Sequence, residues 1–401
     1  MLDFDTAQSR LAAAGPAPTT TQEVPLTECH GRILAQSVTA TLDLPPSDNS
    51  AMDGYAIRHA DYQAGGSLPI QQRCYAGDTP EALEPGKTIR LYTGSVMPEG
   101  ADTVVMQENV TEANEQITIN QAPTKGSHVR YQGEDVRADT EMIAAGTKLD
   151  AGEIALLASQ GMATVTVFAS LKIGLLTTGD ELAQPGQPRT PEQIYNSNSP
   201  MLAALIARLG AKPHRVLHAV DTPEAITKAF QTLLDECDLV LTVGGVSVGD
   251  KDLVKPTIEQ MGGTMDLWRV RMKPGRPVAL AHAQNKPIVC LPGNPVSAYV
   301  VFALLVAPLI RTMQGRHTVL PSTRYGRLAT TRTLGGSREE FLRVRVHGQS
   351  DAMPTIEPHT DQGSAIINSL AWANALARVP ADSSIADGDT ITFYELAECL
   401  A

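Results

Sequence analysis

Between residues 170 and 316, short apolar runs alternate with longer stretches of helical period, and this alternation restricts the fold more than any other feature of the chain. The runs Lys172–Leu176, Arg215–Val220, Leu239–Val243, Val278–Ala281 and Ile288–Leu291 have the length and character of buried strands. Helices are expected at Pro200–Leu209, Pro223–Cys237, Leu253–Met261 and Val296–Met313, with Asn294 as cap and Pro295 in the first helical position. The pattern predicts an α/β layer architecture with a mostly parallel, doubly wound sheet.

In open α/β sheets, ligands bind beyond the carboxyl ends of the strands. After the first strand comes TTGDEL, with Thr178, Gly179, Asp180 and Glu181, and after the second comes Asp221. The third opens into GGVSVGDKD, where Gly244, Gly245, Ser247 and Gly249 precede Asp250, Lys251 and Asp252 at an expected helix start. Free backbone N–H groups at such a turn favour an anion. The aspartates add hard oxygen ligands for a cation such as magnesium. The last strand leads into LPGNP, with Pro292, Gly293 and Asn294. In WRVRMKPGRP, an extended Trp268 to Lys273 would put Arg269, Arg271 and Lys273 on one face, with Arg276 in the turn beyond. Cations beside a carboxylate-rich edge suit an anionic, metal-bridged ligand; a solvated strand edge guarded by basic residues is the plainer alternative.

The flanking segments differ in character. Residues 1–14 read as a short helix that packs against a later domain. LDLPPSDNSAMDGYAI, residues 42–57, is held extended by Pro45 and Pro46, and places Asp53 before Gly54 as if at a tight turn. Residues 58–138 are strand-like, with a turn at Thr93-Gly94 and a charge cluster of Arg130, Glu134, Asp135 and Arg137 around Gly133. Residues 139–169 carry a helix at Ala151–Ser159 and a strand at Thr164–Phe168, and resemble residues 20–40 in composition. Four units are therefore expected: 1–40 with 139–169 as a connecting and dimerisation domain, 41–138 as an inserted β-rich domain, 170–316 as the α/β domain, and 317–401 as a small β-barrel. In the last unit only Ser364 and Ser369 suggest chemistry.

Composition narrows the function. A length of 401 residues fits two to four domains, and a formal charge of −12 argues against a nucleic-acid partner. Five cysteines without CxxC spacing fit a reducing, cytoplasmic setting. The N-terminus lacks a signal peptide's apolar region. Pro287 to Ile310 is uncharged and of bilayer-spanning length, which takes ~20 apolar residues. The PGNP turn, Pro292 to Pro295, should cut it into a core strand and helix too short to span, so no membrane partner is expected.

PPSDNSAMDGYA, TGSVMPEGADTVV, GEDVR, TTGDEL, IYNSNSPML, GGVSVGDKD, KPGRP and LPGNPVSA follow one another across nearly the whole chain. Together they closely resemble the MoeA family, the molybdopterin molybdenumtransferases, related to the E domain of gephyrin. The α/β part alone also resembles the MoaB/MogA-like molybdopterin adenylyltransferases and competence-damage-type proteins. The resemblance implies an elongated homodimer of four-domain subunits, with each active site between the α/β domain of one subunit and the inserted domain of the other. It also implies magnesium-dependent conversion of adenylylated molybdopterin and molybdate into molybdenum cofactor and AMP. Other cofactor-biosynthesis proteins, the adenylyltransferase among them, are candidate partners.

Carried over by motif, the catalytic positions are Asp53, Thr93, Asp135, Glu181, Asp252 and Lys273, with Glu181 and Asp221 as metal ligands. Cofactor-binding positions are Arg130, Thr178, Gly179, Asp221, Gly244, Gly245, Ser247, Gly249, Asp250, Arg269, Pro292, Gly293, Asn294 and Ser369. Arg269 stands where the family often has lysine, which keeps the charge but changes its geometry. Leu253 replaces a commonly aromatic residue. The alternatives weighed are a molybdopterin adenylyltransferase and a gephyrin-like peptide-binding scaffold. A nicotinamide-dependent dehydrogenase is disfavoured because no GxGxxG follows the first strand.

Overall fold

The computed structural model describes residues 1–245, 253–348 and 353–401, with Trp268 described by its backbone alone. Its central sheet is built from β1 (Lys172–Thr178), β2 (Lys212–Ala219), β3 (Leu239–Val243), β4 (Thr264–Trp268), β5 (Ala279–Ala283) and β6 (Lys286–Leu291), in the order β2-β1-β3-β6-β5-β4. The first four strands of that order are parallel, whereas β5 runs antiparallel to both its neighbours. The two-residue turn Gln284-Asn285, with φ of 51° and 60°, leaves no room for a crossover and forces the β5–β6 hairpin. Helices α1 (Asn198–Arg208), α2 (Pro223–Glu236), α3 (Val254–Gln260) and α4 (Pro295–Val301) complete the layers.

Strand residues alternate between two apolar cores. Leu175, Leu241 and Val289 pack with Leu202 and Ile206 of α1 and with the helix that continues α4, while Leu176, Val240 and Ile288 pack with Phe230 and Leu233 of α2 and with Ile258 of α3. Both faces are covered, so the sheet is doubly wound. Only a strand buried on both sides reads as a continuous apolar run, and β3 is fully buried.

Beyond α4 the helix passes through a π turn at Phe302–Val306 before resuming at Ala307–Met313. Pro308 has no N–H to give Leu304. The freed Leu304 carbonyl instead accepts the Gln8 side chain at 2.7 Å. Gln8 belongs to the N-terminal helix Phe4–Ala12, whose fully buried Phe4 lies 4.6 Å from the Phe341 ring. That helix thus packs on the α/β and C-terminal units rather than on the connecting region. Contrary to expectation, the 19-residue span Pro295–Met313 is long and apolar enough to cross a bilayer, but 89% of its most apolar window is buried in the protein.

Thr21–Pro25 pairs with Thr164–Phe168, and Val24, Leu34, Leu149, Leu157 and Val167 share one core. Between these segments the chain forms a second six-stranded sheet that includes Gly54–Ile57, Thr88–Leu91 and Thr103–Met106. Gly54 starts a strand rather than sitting in a tight turn: a Cβ there would lie 2.3 Å from the Val105 carbonyl oxygen. At the C-terminus, Arg324–Leu328, Glu339–His347, Thr355–Pro358, Ala375–Val379 and Thr390–Glu395 close into a five-stranded barrel. All five cysteines are buried and unpaired.

Candidate active site at the carboxyl edge of the central sheet

The carboxyl ends of β1, β2, β3 and β6 bring four of the expected motifs to one edge. The Asp180 carboxylate accepts the Asp221 backbone N–H at 3.2 Å, which ties the loop after β2 to the loop after β1. Glu181 is exposed, and its carboxylate folds back over Gly179, within 2.8 Å of where a Cβ would stand. Gly244 and Gly245 have φ of 95° and 64°; a Cβ on them would come within 2.9 Å of the Thr178 carbonyl and 2.7 Å of Val254. Glycine is required here by both backbone and space. Ser247, Gly249, Asp250 and Asp252 lie outside the described residues.

After β6, the Pro292-Gly293-Asn294 loop is braced from two sides. The Asn198 side chain donates to the Gly293 carbonyl at 2.7 Å. Asn294 occupies the cap position of α4 but makes no cap bond; its side chain donates to Ser364 Oγ at 3.1 Å. The C-terminal barrel therefore reaches the sheet edge through Ser364. The buried Ser369 does not: its hydroxyl accepts from Arg343 Nε at 3.1 Å and donates to the Ile366 carbonyl at 2.6 Å, out of a ligand's reach.

The basic segment departs from the extended face expected for it. Val270 and Met272 are buried and the cations alternate outward, but Arg269 adopts φ 66°, so β4 ends at Trp268. Met272–Lys273 then joins the barrel beside Glu339 and Glu340. Arg271 is held by Asp382 and Ser337, and Lys273 Nζ pairs with Glu340 at 2.8 Å. Arg269 makes no side-chain hydrogen bond or ion pair to a described residue, so it is the free cation of the three. Glu340 was missed from the sequence, where it reads as one of a pair of acids before an apolar run.

A second group of expected residues lies in the inserted domain. The Asp53 carboxylate accepts the Thr93 N–H at 2.8 Å and its hydroxyl at 2.9 Å. These two bonds, the backbone one foremost, hold the Asp53 carboxyl below the usual carboxylate range. In an NMR titration Asp53 should stay ionised below the pH of an ordinary aspartate, and Thr93→Val should return it towards normal. The sign follows from the depressed folded value: its stabilising share is present above the ordinary carboxylate pKa and lost as pH falls through the lowered one. An unshifted Asp53 would contradict this geometry.

Arg130 and Asp135 are exposed on the neighbouring loop, which Asp43 and Asp48 clamp from the proline segment through Gln132 and Ala138 at 2.7–2.8 Å. Among the described residues, the hydrogen bonds of Asp53, Thr93, Arg130 and Asp135 all stay within residues 44–107 and 129–136, and none reaches the α/β domain.

Among the described residues, no three His, Cys, Asp or Glu side chains converge as a metal centre. The donor chemistry at the edge still fits magnesium, which commonly takes only one or two carboxylates and completes its shell with phosphate oxygens and water. Glu181 and Asp221 are of that kind.

Three family models match the chain: the MoeA N-terminal region (domain I and II) over residues 2–161, a probable molybdopterin binding domain over 174–312, and the MoeA C-terminal region (domain IV) over 325–396. A molybdopterin molybdenumtransferase of Haemophilus influenzae is 34% identical over 397 residues, covering 98% of each chain. This chain belongs to the MoeA family. Another relative of that name, from a Nostoc species, is 35% identical over 94% of this chain and 89% of its own. Among solved MoeA structures, the molybdopterin biosynthesis moeA protein of Pyrococcus horikoshii superposes with a TM-score of 0.83 at 26% identity, covering 98% of this chain and all of that one. Like that MoeA structure, the chain combines the α/β domain with the inserted and C-terminal β units.

Proposed function

We propose that this transferase of molybdenum cofactor biosynthesis inserts molybdenum into adenylylated molybdopterin, consuming molybdate and releasing AMP. The observation that carries the reading is the edge itself, where Asp180, Glu181 and Asp221, the Gly244-Gly245 turn and the braced Pro292-Gly293-Asn294 loop meet. The phosphoanhydride P–O bond breaks as an oxygen from water forms a new P–O bond, and the products are AMP and the terminal phosphate of molybdopterin. Magnesium held by Glu181 and Asp221 would neutralise charge on the phosphoryl oxygens. Arg269 supplies a free guanidinium for an oxyanion, and Lys273 a second cation once its pairing with Glu340 is exchanged for the ligand.

The reading includes a homodimer. Thr93, Arg130 and Asp135 are exposed, and their bonds leave the α/β edge of their own subunit untouched. In a two-fold dimer the inserted domain of one subunit can complete the edge of the other and exclude bulk solvent from it.

The test is incubation of the purified protein with adenylylated molybdopterin, molybdate and magnesium, following AMP by chromatography and pterin-bound molybdenum by mass spectrometry. Both should appear in equal amounts and depend on magnesium. Consumption of ATP with unmodified molybdopterin, and no molybdenum transfer, would make the protein an adenylyltransferase instead.

A further inference from the structure

A cavity of about 400 Å³ lies where the connecting region, the end of the long α/β helix and the C-terminal segment meet, and Lys148, Arg311, Arg316 and His317 line it. The loops that carry these residues are locked together. His317 N–H donates to the Gly146 carbonyl at 3.3 Å, and a Cβ on Gly146 would lie 2.8 Å from the Gly315 carbonyl oxygen.

Some of this positive charge has a structural use. Arg311 donates to the Val319, Glu398 and Cys399 carbonyls at 2.7–3.1 Å, and the Nη atoms of Arg316 donate to Ala401 and Leu209 at 2.6–2.7 Å. The rest is unspent. Arg316 Nε is buried with no acceptor. The Lys148 ammonium makes no hydrogen bond or ion pair to a described residue. The acid that lines the cavity, Glu398, is occupied by Ser322 and Arg324. Asp150, whose charge favours the Lys148 ammonium, is held by the Ala151 N–H and by His30. Burial and the neighbouring Arg316 and Arg311 push the Lys148 ammonium below its ordinary pKa. An unpaired, partly buried ammonium beside two guanidiniums is costly unless an anion offsets its charge.

We infer that this cavity is a binding site, separate from the sheet-edge site, for an oxyanion of the phosphate class, received by Lys148 Nζ and the His317 ring within the positive field of Arg311 and Arg316. Donors from two loops with two guanidiniums behind them suit a tetrahedral anion, and the volume leaves room for a small organic group attached to it.

The test labels the full-length protein with acetic anhydride and reads Lys148 by peptide mass spectrometry, with inorganic phosphate or AMP titrated in. Saturable protection of Lys148 is expected. Protection by AMP at lower concentration than phosphate identifies a phosphate ester as the ligand, and equal potency a free oxyanion. In calorimetry, Lys148→Gln should weaken phosphate binding at this site about 10- to 100-fold, the worth of one charge-assisted hydrogen bond, while Lys148→Arg stays within a few-fold. Protection should persist in Lys273→Ala. Unchanged labelling with both anions at millimolar concentration, or protection lost in Lys273→Ala, would overturn the assignment.

Discussion

Glu181→Gln is expected to lower AMP release about 100-fold, ~2.7 kcal/mol of barrier, the loss typical of removing one electrostatic contact to a developing charge. The change should leave the unfolding midpoint unchanged, since Glu181 is exposed and its side chain bonds no described residue. Raising magnesium should recover part of the loss, because a weakened ligand set is filled by mass action. Asp180→Asn acts differently. Asp180 holds the Asp221 backbone rather than a ligand, so its loss should raise the magnesium requirement with a smaller fall in rate at saturating metal. Near wild-type AMP release by Glu181→Gln at low magnesium would remove the metal role from this residue.

Arg343→Met is expected to produce the largest loss of stability. Arg343 is 1% exposed, and its guanidinium serves Ser369 Oγ, the Gly363 carbonyl and the Asp361 carbonyl at 3.0–3.4 Å. Burial pulls its pKa down to about 10, so it remains a cation at neutral pH. Methionine fills similar space but removes three hydrogen bonds, at about 1 kcal/mol each and about 3 kcal/mol together. Denaturant unfolding of the C-terminal barrel should shift accordingly. Because Ser364 of the same segment braces Asn294, the variant should also loosen the loop after β6. An unchanged barrel midpoint would show that these bonds contribute little.

How much of this could be read from the sequence depended on how local the cause was. β3 falls on the residues expected, Leu239–Val243, because a strand buried on both faces writes an unbroken apolar run. The helix at Ala151–Ser159 likewise matches, its start marked by the Asp150–Glu153 capping box. Acids and glycines at strand ends were legible for the same reason: once the strands are placed, their carboxyl edge is placed too. The antiparallel β5–β6 pair escaped because both strands are apolar and only the Gln284-Asn285 turn distinguishes a hairpin from a crossover.

Longer-range features left no periodic trace. Lys273 meets Glu340, Asn294 meets Ser364, and Gln8 meets Leu304, each across tens to hundreds of residues and each decided by how units dock. The basic face failed at one residue, Arg269, whose left-handed backbone no alternation could signal. Nothing local in the sequence marks out Asp43 and Asp48, yet they clamp the loop that carries Arg130 and Asp135.

The claim on which the account rests is that inserted-domain residues of one subunit complete the strand-edge site of another. Mixing Asp53→Ala subunits with Glu181→Gln subunits under exchange conditions tests it directly through AMP release. Each variant alone should be nearly inactive. Random exchange makes half of the dimers mixed, each with one intact site, so activity should return to about a quarter of wild type. If no activity returns while mass spectrometry confirms mixed dimers, the two groups of residues do not share a site across the subunits.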